Sequence, residues 1–336
     1  MVIALAVSVL PIFLFLGALV LLDSYKLITL RAILIAVAAG SAAAIAGYAI
    51  NIWLRPALGL DLERYSRYVA PVVEELLKAM YVIWLLRRNK VGFVVDAATY
   101  GFAVGTGFAF IENLYYLPLH PNPTIWTWII RGFGTAIMHG GTTAIFAMIS
   151  RTLDNRASVL RLSLMLPGLV VAMVLHSLYN QFLVSPLLAT ALIVLGFPYI
   201  FMFLFNRSER ETRNWLGTGF DTDQELLRVM RAGQVSDTPV GHYLKGLRTN
   251  YPPEVIVDMM CLLRLRAELG IRAKGILLMR EAGFESDPDP SIREKLEEVR
   301  YLENSIGRTG MRALKPFVHT STQDLWQLNL LDGKQA

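Results

Sequence analysis

The sequence contains little cysteine and few charged side chains. Its single cysteine, Cys261, excludes an intrachain disulfide and a zinc site made of several thiolates. Charged residues make up 18% of the chain, below the roughly 25% that is typical of soluble domains. Hydrophobic residues make up 54%, and the mean hydropathy is +0.45. These values indicate an integral membrane protein rather than a soluble enzyme.

The charges are distributed unevenly along the chain. Residues 1–206 contain 13 Lys and Arg against 8 Asp and Glu, whereas residues 207–336 contain 19 of each kind. The net charge of +5 therefore belongs to the apolar part, and the charge of the rest is balanced. This distribution argues against a nucleic-acid partner and indicates basic loops that orient a membrane domain.

Seven segments are long and apolar enough for transmembrane helices, which need about 20 mostly apolar residues. They lie at about residues 2–22, 32–54, 68–86, 92–116, 124–150, 160–183 and 185–206. The first segment has no basic residues ahead of it, so we expect a helix rather than a cleaved signal peptide. The sequence predicts an all-α transmembrane bundle of about seven spans over residues 1–206. A small helical cytosolic domain, residues 207–336, is expected to bind a partner or regulate the first domain.

Basic residues in the loops predict the orientation of this bundle. The loop after the third span reads Arg87-Arg88-Asn89-Lys90, and basic residues also follow the fifth and seventh spans. The loops after the fourth and sixth spans contain neither Lys nor Arg. By the positive-inside rule, the N-terminus is predicted to lie outside and the C-terminus in the cytoplasm.

Ionisable side chains recur within the predicted spans, although such groups are costly in lipid and usually functional. The third span contains Glu74 and Glu75, and Lys78 lies three to four residues later, where its ammonium can reach either carboxylate. The fourth span ends with Glu112 and Asn113. A helix rises about 1.5 Å per residue, which puts Glu75 and Glu112 at similar depths in the outer half of the bilayer.

Two further spans add histidines to this set. The fifth span places Arg131, Thr135 and His139 along one face, and the sixth puts His176 beside Asn180. We expect Glu74, Glu75, Glu112, His139 and His176 to line one cavity. A carboxylate cluster beside imidazoles can activate water directly or through a metal.

Small residues recur at four-residue spacing in the same spans. Gly101 and Gly105, with Gly107 nearby, lie in the fourth span, and Gly132 and Gly140 lie in the fifth. This spacing predicts close helix packing rather than a ligand site.

Taken in order, these motifs resemble the PrsW family of intramembrane proteases. The resemblance rests on Glu74-Glu75-x-x-Lys78, Phe108-Ala109-x-x-Glu112-Asn113, His139 and His176. The spacing His176-x-x-x-Asn180 is similar to an element of the wider superfamily, which includes the CAAX prenyl endopeptidases and bacteriocin-immunity-type membrane proteins. The resemblance covers about residues 60–185 and leaves the C-terminal region uncovered.

The resemblance implies a peptidase of the bacterial plasma membrane that cleaves a transmembrane or membrane-anchored protein near the outer half of the bilayer. In this interpretation Glu74 or Glu75 activates the attacking water, while His176 and Asn180 polarise the scissile carbonyl and hold the oxyanion. Glu112 and His139 orient the water or, with His176, bind a divalent metal such as zinc. The supporting residues are Lys78, Asn113 and Arg131. No HExxH motif is present, and the sequence is compatible with a metal-dependent or a metal-free peptidase.

Two other classes of function remain as alternatives. An ion- or proton-coupled transporter would also place Glu, His and Lys in the membrane, but it would more often show inverted repeats, and the sequence shows none. A non-catalytic membrane scaffold could share the fold. Retention of the motif carboxylates together with both histidines argues against that scaffold.

Overall fold

The computed structural model describes residues 2–23, 28–119, 124–154, 162–284, 291–317, 326–327 and 331. These residues are almost entirely helical and include no strand, which confirms the predicted all-α fold. The chain divides into two compact units, Met1–Glu209 and Arg210–Gln335.

The first unit is made of long helices and short turns. Its α-helices are α1 Val2–Leu21, α2 Leu30–Leu58, α3 Leu62–Arg64, α4 Ala70–Arg87, α5 Val94–Leu119, α6 Ile125–Ile129, α7 Ala136–Asp154, α8 Leu166–Asn180 and α9 Pro186–Arg231. The unit boundary falls within α9. Two π-helical turns, Tyr65–Val69 and Ile130–Thr135, directly precede α4 and α7, and a 3-10 turn, Leu162–Met165, precedes α8.

Several helices of the first unit begin or end at recognisable capping residues. Thr29 accepts a hydrogen bond from the Ala32 amide at the start of α2, and Gly59 ends that helix with a φ of +63°. Asp61 caps α3 in the same way by accepting from the Arg64 amide at 2.7 Å. These caps separate α2 from the short segment that leads into α4.

Five helical segments are long and apolar enough to cross a membrane, which supports a multi-pass membrane protein. They are α1, α2, α5, α9 and the segment Leu162–Asn180. Helix α4 does not meet this criterion because four of its 18 residues are charged, and α7 carries His139, Arg151 and Asp154. Helices α4 and α7 are therefore less apolar than α1, α2, α5 and α8, and the total of seven spans stays a prediction.

Glycines allow α5 to approach its neighbours at backbone distance. A Cβ atom built on Gly105 would lie 2.3 Å from the His139 carbonyl oxygen of α7, and one on Gly101 would lie 2.6 Å from the Thr143 carbonyl. On the other side of α5, a Cβ on Gly107 would lie 1.9 Å from the Val37 carbonyl of α2. The prediction that these glycines serve close packing is confirmed, and the contact at Gly105 brings α5 directly against the turn of α7 that carries His139.

The second unit has its own hydrophobic core. Its helices are α10 Pro239–Leu247, α11 Pro253–Glu281 and α12 Ser291–Leu314. Helices α11 and α12 bury Leu262, Leu269 and Leu302 between them and add an ion pair between Lys295 and Glu268. The hydrogen bond from Lys295 lowers the pKa of the Glu268 carboxyl from its ordinary value.

We expect Gly107→Ala to destabilise the first unit by about 1–3 kcal/mol, because the added methyl group would overlap the Val37 carbonyl and force α2 and α5 apart. Thermal unfolding of the detergent-purified protein measures this effect. Gly17→Ala is the matched control, since a Cβ at Gly17 meets no atom within 4 Å. A melting temperature of Gly107→Ala equal to that of the control would contradict the packing assigned here.

Candidate active site

The structure brings together ionisable groups from four helices. Helix α4 contributes Glu74 and Glu75, the C-terminal part of α5 contributes Glu112, α7 contributes His139 and α8 contributes His176. The ring centroids of the two histidines are 4.8 Å apart, with the ring planes nearly perpendicular. All five residues that the sequence placed in one cavity therefore lie in one cluster.

Glu75 is the most heavily engaged carboxylate of the cluster. Its Oε1 atom accepts hydrogen bonds from Lys78 Nζ at 2.6 Å and Thr142 Oγ1 at 3.1 Å, and it lies 2.8 Å from His176 Nδ1. Glu75 is 2% exposed and Lys78 is fully buried. An ionised carboxylate can only accept, so this contact favours the His176 tautomer with its proton on Nδ1, and that tautomer has its lone pair on Nε2. We call Glu75, Lys78 and Thr142 the inner group.

Lys78 also faces the second histidine. Its Nζ atom lies 3.3 Å from His139 Nδ1 and 5.1 Å from the centre of the Phe108 ring. The His139 carbonyl accepts hydrogen bonds from Thr142 and Thr143 on the same helix. The inner group thus contacts the Nδ1 side of both imidazoles and holds α4, α7 and α8 together.

The Nε2 sides of the two rings face the two remaining glutamates. His176 Nε2 lies 3.8 Å from Glu74 Oε2, and His139 Nε2 lies 2.8 Å from Glu112 Oε2. The side chains of Glu74 and Glu112 retain 17% and 25% exposure, so they are the carboxylates of the cluster that a substrate can reach. We call these two glutamates and the two Nε2 atoms the outer group.

The outer group has the composition of a divalent metal site. Glu74, His139 and His176 each offer one atom, and these atoms lie within 4.8 Å of one another. Glu112 Oε2 is buried and receives no hydrogen bond in an acceptable geometry, although His139 Nε2 is close. Imidazole and carboxylate donors that converge in this way, with His176 Nδ1 directed at a carboxylate, are typical of zinc-type sites. The residues present therefore fit a metal, and the set that converges is Glu74, His139 and His176, with Glu74 in the place that was predicted for Glu112.

Asn180 makes a different contact from the predicted one. Its amide nitrogen donates to the Ser66 carbonyl at 2.9 Å, and Ser177 Oγ donates to the Arg67 carbonyl at 2.6 Å. Both carbonyls belong to the π-helical turn that precedes α4, and such turns are frequent at functional sites. The structure thus gives Asn180 a contact that holds the turn ahead of α4, the helix that carries Glu74, and its contact with an oxyanion stays a prediction.

The supporting residues Asn113 and Arg131 lie next to the outer group. Asn113 donates to the Ser8 carbonyl of α1 at 2.7 Å and accepts from Arg131 Nε at 2.9 Å. The guanidinium of Arg131 lies over the Tyr116 ring, 4.0 Å from its centre, and its Nη2 atom is 3.4 Å from Glu112 Oε1. Arg131 belongs to the second π-helical turn, directly before α7.

The sequence motifs did not predict that Thr142, Ser177 and Tyr116 would contact residues of the site. Thr142 lies three residues after His139, on the same face of α7. This helical spacing could have predicted that Thr142 lies near the cluster. No pattern pointed to Ser177 or Tyr116, because their partners are a distant backbone carbonyl and a side chain of another helix.

A comparison with known protein families matches the part of the chain that contains the whole cluster. A family model described as PrsW family intramembrane metalloprotease matches residues 24–206, more than half of the chain, and this range contains every residue of the inner and outer groups. No curated protein and no solved structure shows significant similarity to the chain.

Proposed function

The chain belongs to the PrsW family of intramembrane metalloproteases, and we propose that its outer group hydrolyses a peptide bond of a membrane-associated protein. One observation supports this assignment above the others. The Nδ1 sides of both histidines contact a buried ion pair, while their Nε2 sides converge with Glu74 and Glu112. Such an arrangement orients two imidazoles toward one reaction centre and leaves two reachable carboxylates beside them.

In the proposed mechanism, Glu74, His139 and His176 would hold a divalent metal such as zinc. When bound there, the metal would make a water molecule more acidic and polarise the scissile carbonyl. Glu75 keeps the proton of His176 on Nδ1, so that Nε2 keeps its lone pair. Lys78 compensates the buried charge of Glu75 and thereby fixes α4 against α8.

Glu112 is the proposed general base. Its Oε2 atom lies 2.8 Å from His139 Nε2, one of the proposed metal-binding atoms, so this carboxylate is beside the water that it would deprotonate. The water oxygen adds to the carbonyl carbon, the C–N bond breaks, and Glu112 returns the proton to the leaving amine. Glu74 and Glu112 thus take the two roles of metal ligand and base, whereas Glu75 serves in positioning. This replaces the earlier expectation that Glu74 or Glu75 activates the water.

The proposed substrate is a transmembrane or membrane-anchored protein, because the cluster lies among membrane-spanning helices. We place the protein in the bacterial plasma membrane, with its N-terminus outside, on the basis of the basic loops. The cleavage position in this orientation is the outer half of the bilayer. The second unit is proposed to bind a cytosolic partner or the cytosolic segment of the substrate.

The metal assignment predicts which variants lose zinc. Glu74→Gln, His139→Ala and His176→Ala remove a ligand each, so the purified proteins should retain little zinc after dialysis. Glu112→Gln removes only the base and should retain as much zinc as the wild type. Bound zinc per protein, measured by elemental analysis, distinguishes these cases. Glu63→Gln, at an exposed acid paired with Arg67, is the control. Full zinc content in His176→Ala would refute this site.

Cleavage rates separate the three glutamates by role. We expect Glu112→Gln and Glu74→Gln to slow cleavage of a single-span reporter in proteoliposomes by about 10²–10⁴-fold, since each removes a reacting or metal-binding group. Glu75→Gln should cost about 10–100-fold, because it weakens the partner that orients His176 and the ion pair with Lys78 but removes no reacting group. Glu63→Gln should cleave at the wild-type rate. A folded Glu74→Gln/Glu112→Gln double variant with wild-type cleavage would exclude the mechanism.

Truncation tests the role of the second unit. A chain that ends after Arg213 keeps all site residues and lacks the core formed by α11 and α12. We expect it to cleave the single-span reporter at the wild-type rate and to lose cleavage of its native substrate, identified by comparing membrane fragments from cells with and without Glu112→Gln. Loss of reporter cleavage by a truncated protein with an unchanged melting temperature would show that the second unit is needed for the chemistry.

A further inference from the structure

Arg131 places a buried hydrogen-bond donor beside the outer group. Its side chain is 14% exposed, and its Nη2 atom is buried without a hydrogen-bond acceptor in the described part of the chain. The nearest carboxylate oxygen, Glu112 Oε1, lies 3.4 Å away but outside hydrogen-bond geometry. A buried donor without an acceptor is destabilising, and more so when the group is charged. A donor in this position beside the carboxylates of the outer group is available to an acceptor that a substrate brings.

The orientation of the guanidinium does not depend on Nη2. The Nε atom donates to Asn113 Oδ1 at 2.9 Å, and Asn113 is itself tied to the Ser8 carbonyl of α1. The flat face of the guanidinium lies against the Tyr116 ring. Asn113 fixes the Nε side of the guanidinium and Tyr116 packs against it, so the direction of Nη2 is set before any substrate binds.

The position of Nη2 suits the carbonyl oxygen of the bond to be cleaved. In the proposed mechanism Glu112 takes the proton of the water that attacks the carbonyl carbon, so that carbon must lie within a few ångströms of Glu112. A cationic donor next to Glu112 then lies within reach of the carbonyl oxygen, which becomes negatively charged as the water adds. Preorganised donors aimed at such an oxygen stabilise the transition state more than the ground state.

We propose that Arg131 is a catalytic residue that donates an Nη2–H hydrogen bond to the scissile carbonyl oxygen and to the oxyanion formed from it. The inference rests on the proposed function and gives Arg131 the role that the sequence had assigned to Asn180. Asn113 and Tyr116 are then positioning residues, which act by holding the guanidinium.

A purely structural role for Arg131 makes different predictions. If Arg131 only neutralised Glu112 or supported α7, its loss would alter zinc content or melting temperature, and any other cation would replace it. A carbonyl donor instead affects the turnover step, depends on the guanidinium shape and leaves the bound metal in place.

The test compares wild type, Arg131→Ala and Arg131→Lys in proteoliposomes with the single-span reporter. We expect kcat of Arg131→Ala to fall about 10²–10³-fold while KM changes much less, as observed when other oxyanion donors are removed. Arg131→Lys should recover only part of this loss, because an ammonium lacks the planar edge. Added guanidinium ion should raise the rate of Arg131→Ala and leave Glu112→Gln inactive. Zinc content should match the wild type, because no metal-binding side chain is changed, and kcat is compared on the folded fraction of each variant.

The matched control is Arg64→Ala, which removes an exposed arginine that pairs with Asp61 at the surface, and it should keep its kcat. Wild-type kcat in Arg131→Ala, loss of zinc, or a change confined to KM would overturn the role of Arg131. Failure of the proposed function itself would look different. In that case the wild type would not cleave the reporter, or Glu74→Gln would cleave it as fast as the wild type.

Discussion

The buried ion pair between Glu75 and Lys78 is the interaction on which the rest of the site depends. Neither charge has access to water, and breaking such a pair by removing one partner typically costs about 3–5 kcal/mol. The pair is stable because His176 and Thr142 also direct hydrogen-bonding groups at the carboxylate, and Lys78 Nζ also faces His139. A single carboxylate oxygen therefore connects α4, α7 and α8, and it sets the direction in which the His176 ring presents its free nitrogen.

Backbone packing makes this convergence possible. Gly105 lets α5 lie against the His139 carbonyl, and Gly107 lets the opposite face of the same helix lie against α2. Without these glycines, α5 would stand farther from α7, and Glu112 would not reach the Nε2 side of His139. Helices α4 and α7, which are less apolar than α1, α2, α5 and α8, carry Glu74, Glu75 and His139 of the cluster.

Both π-helical turns adjoin the site, and each changes the interpretation of a motif residue. The turn before α4 presents two backbone carbonyls that Ser177 and Asn180 bind, so Asn180 contacts the backbone ahead of the helix that carries Glu74. The turn before α7 carries Arg131, whose donor edge lies next to Glu112. The contact of Asn180 and the donor edge of Arg131 are therefore features that the linear motif does not indicate.

The sequence by itself determined the all-α membrane fold, the family and the residues of the cluster, because apolar runs have fixed lengths and ionisable groups are rare in lipid. It could not separate Glu74 from Glu75, since adjacent residues differ only in the direction of their side chains. That direction follows from which helix packs on each face: α8 and α7 enclose Glu75, whereas Glu74 stays partly exposed. The partner of Asn180 lies 114 positions away, so only the tertiary structure decided its role.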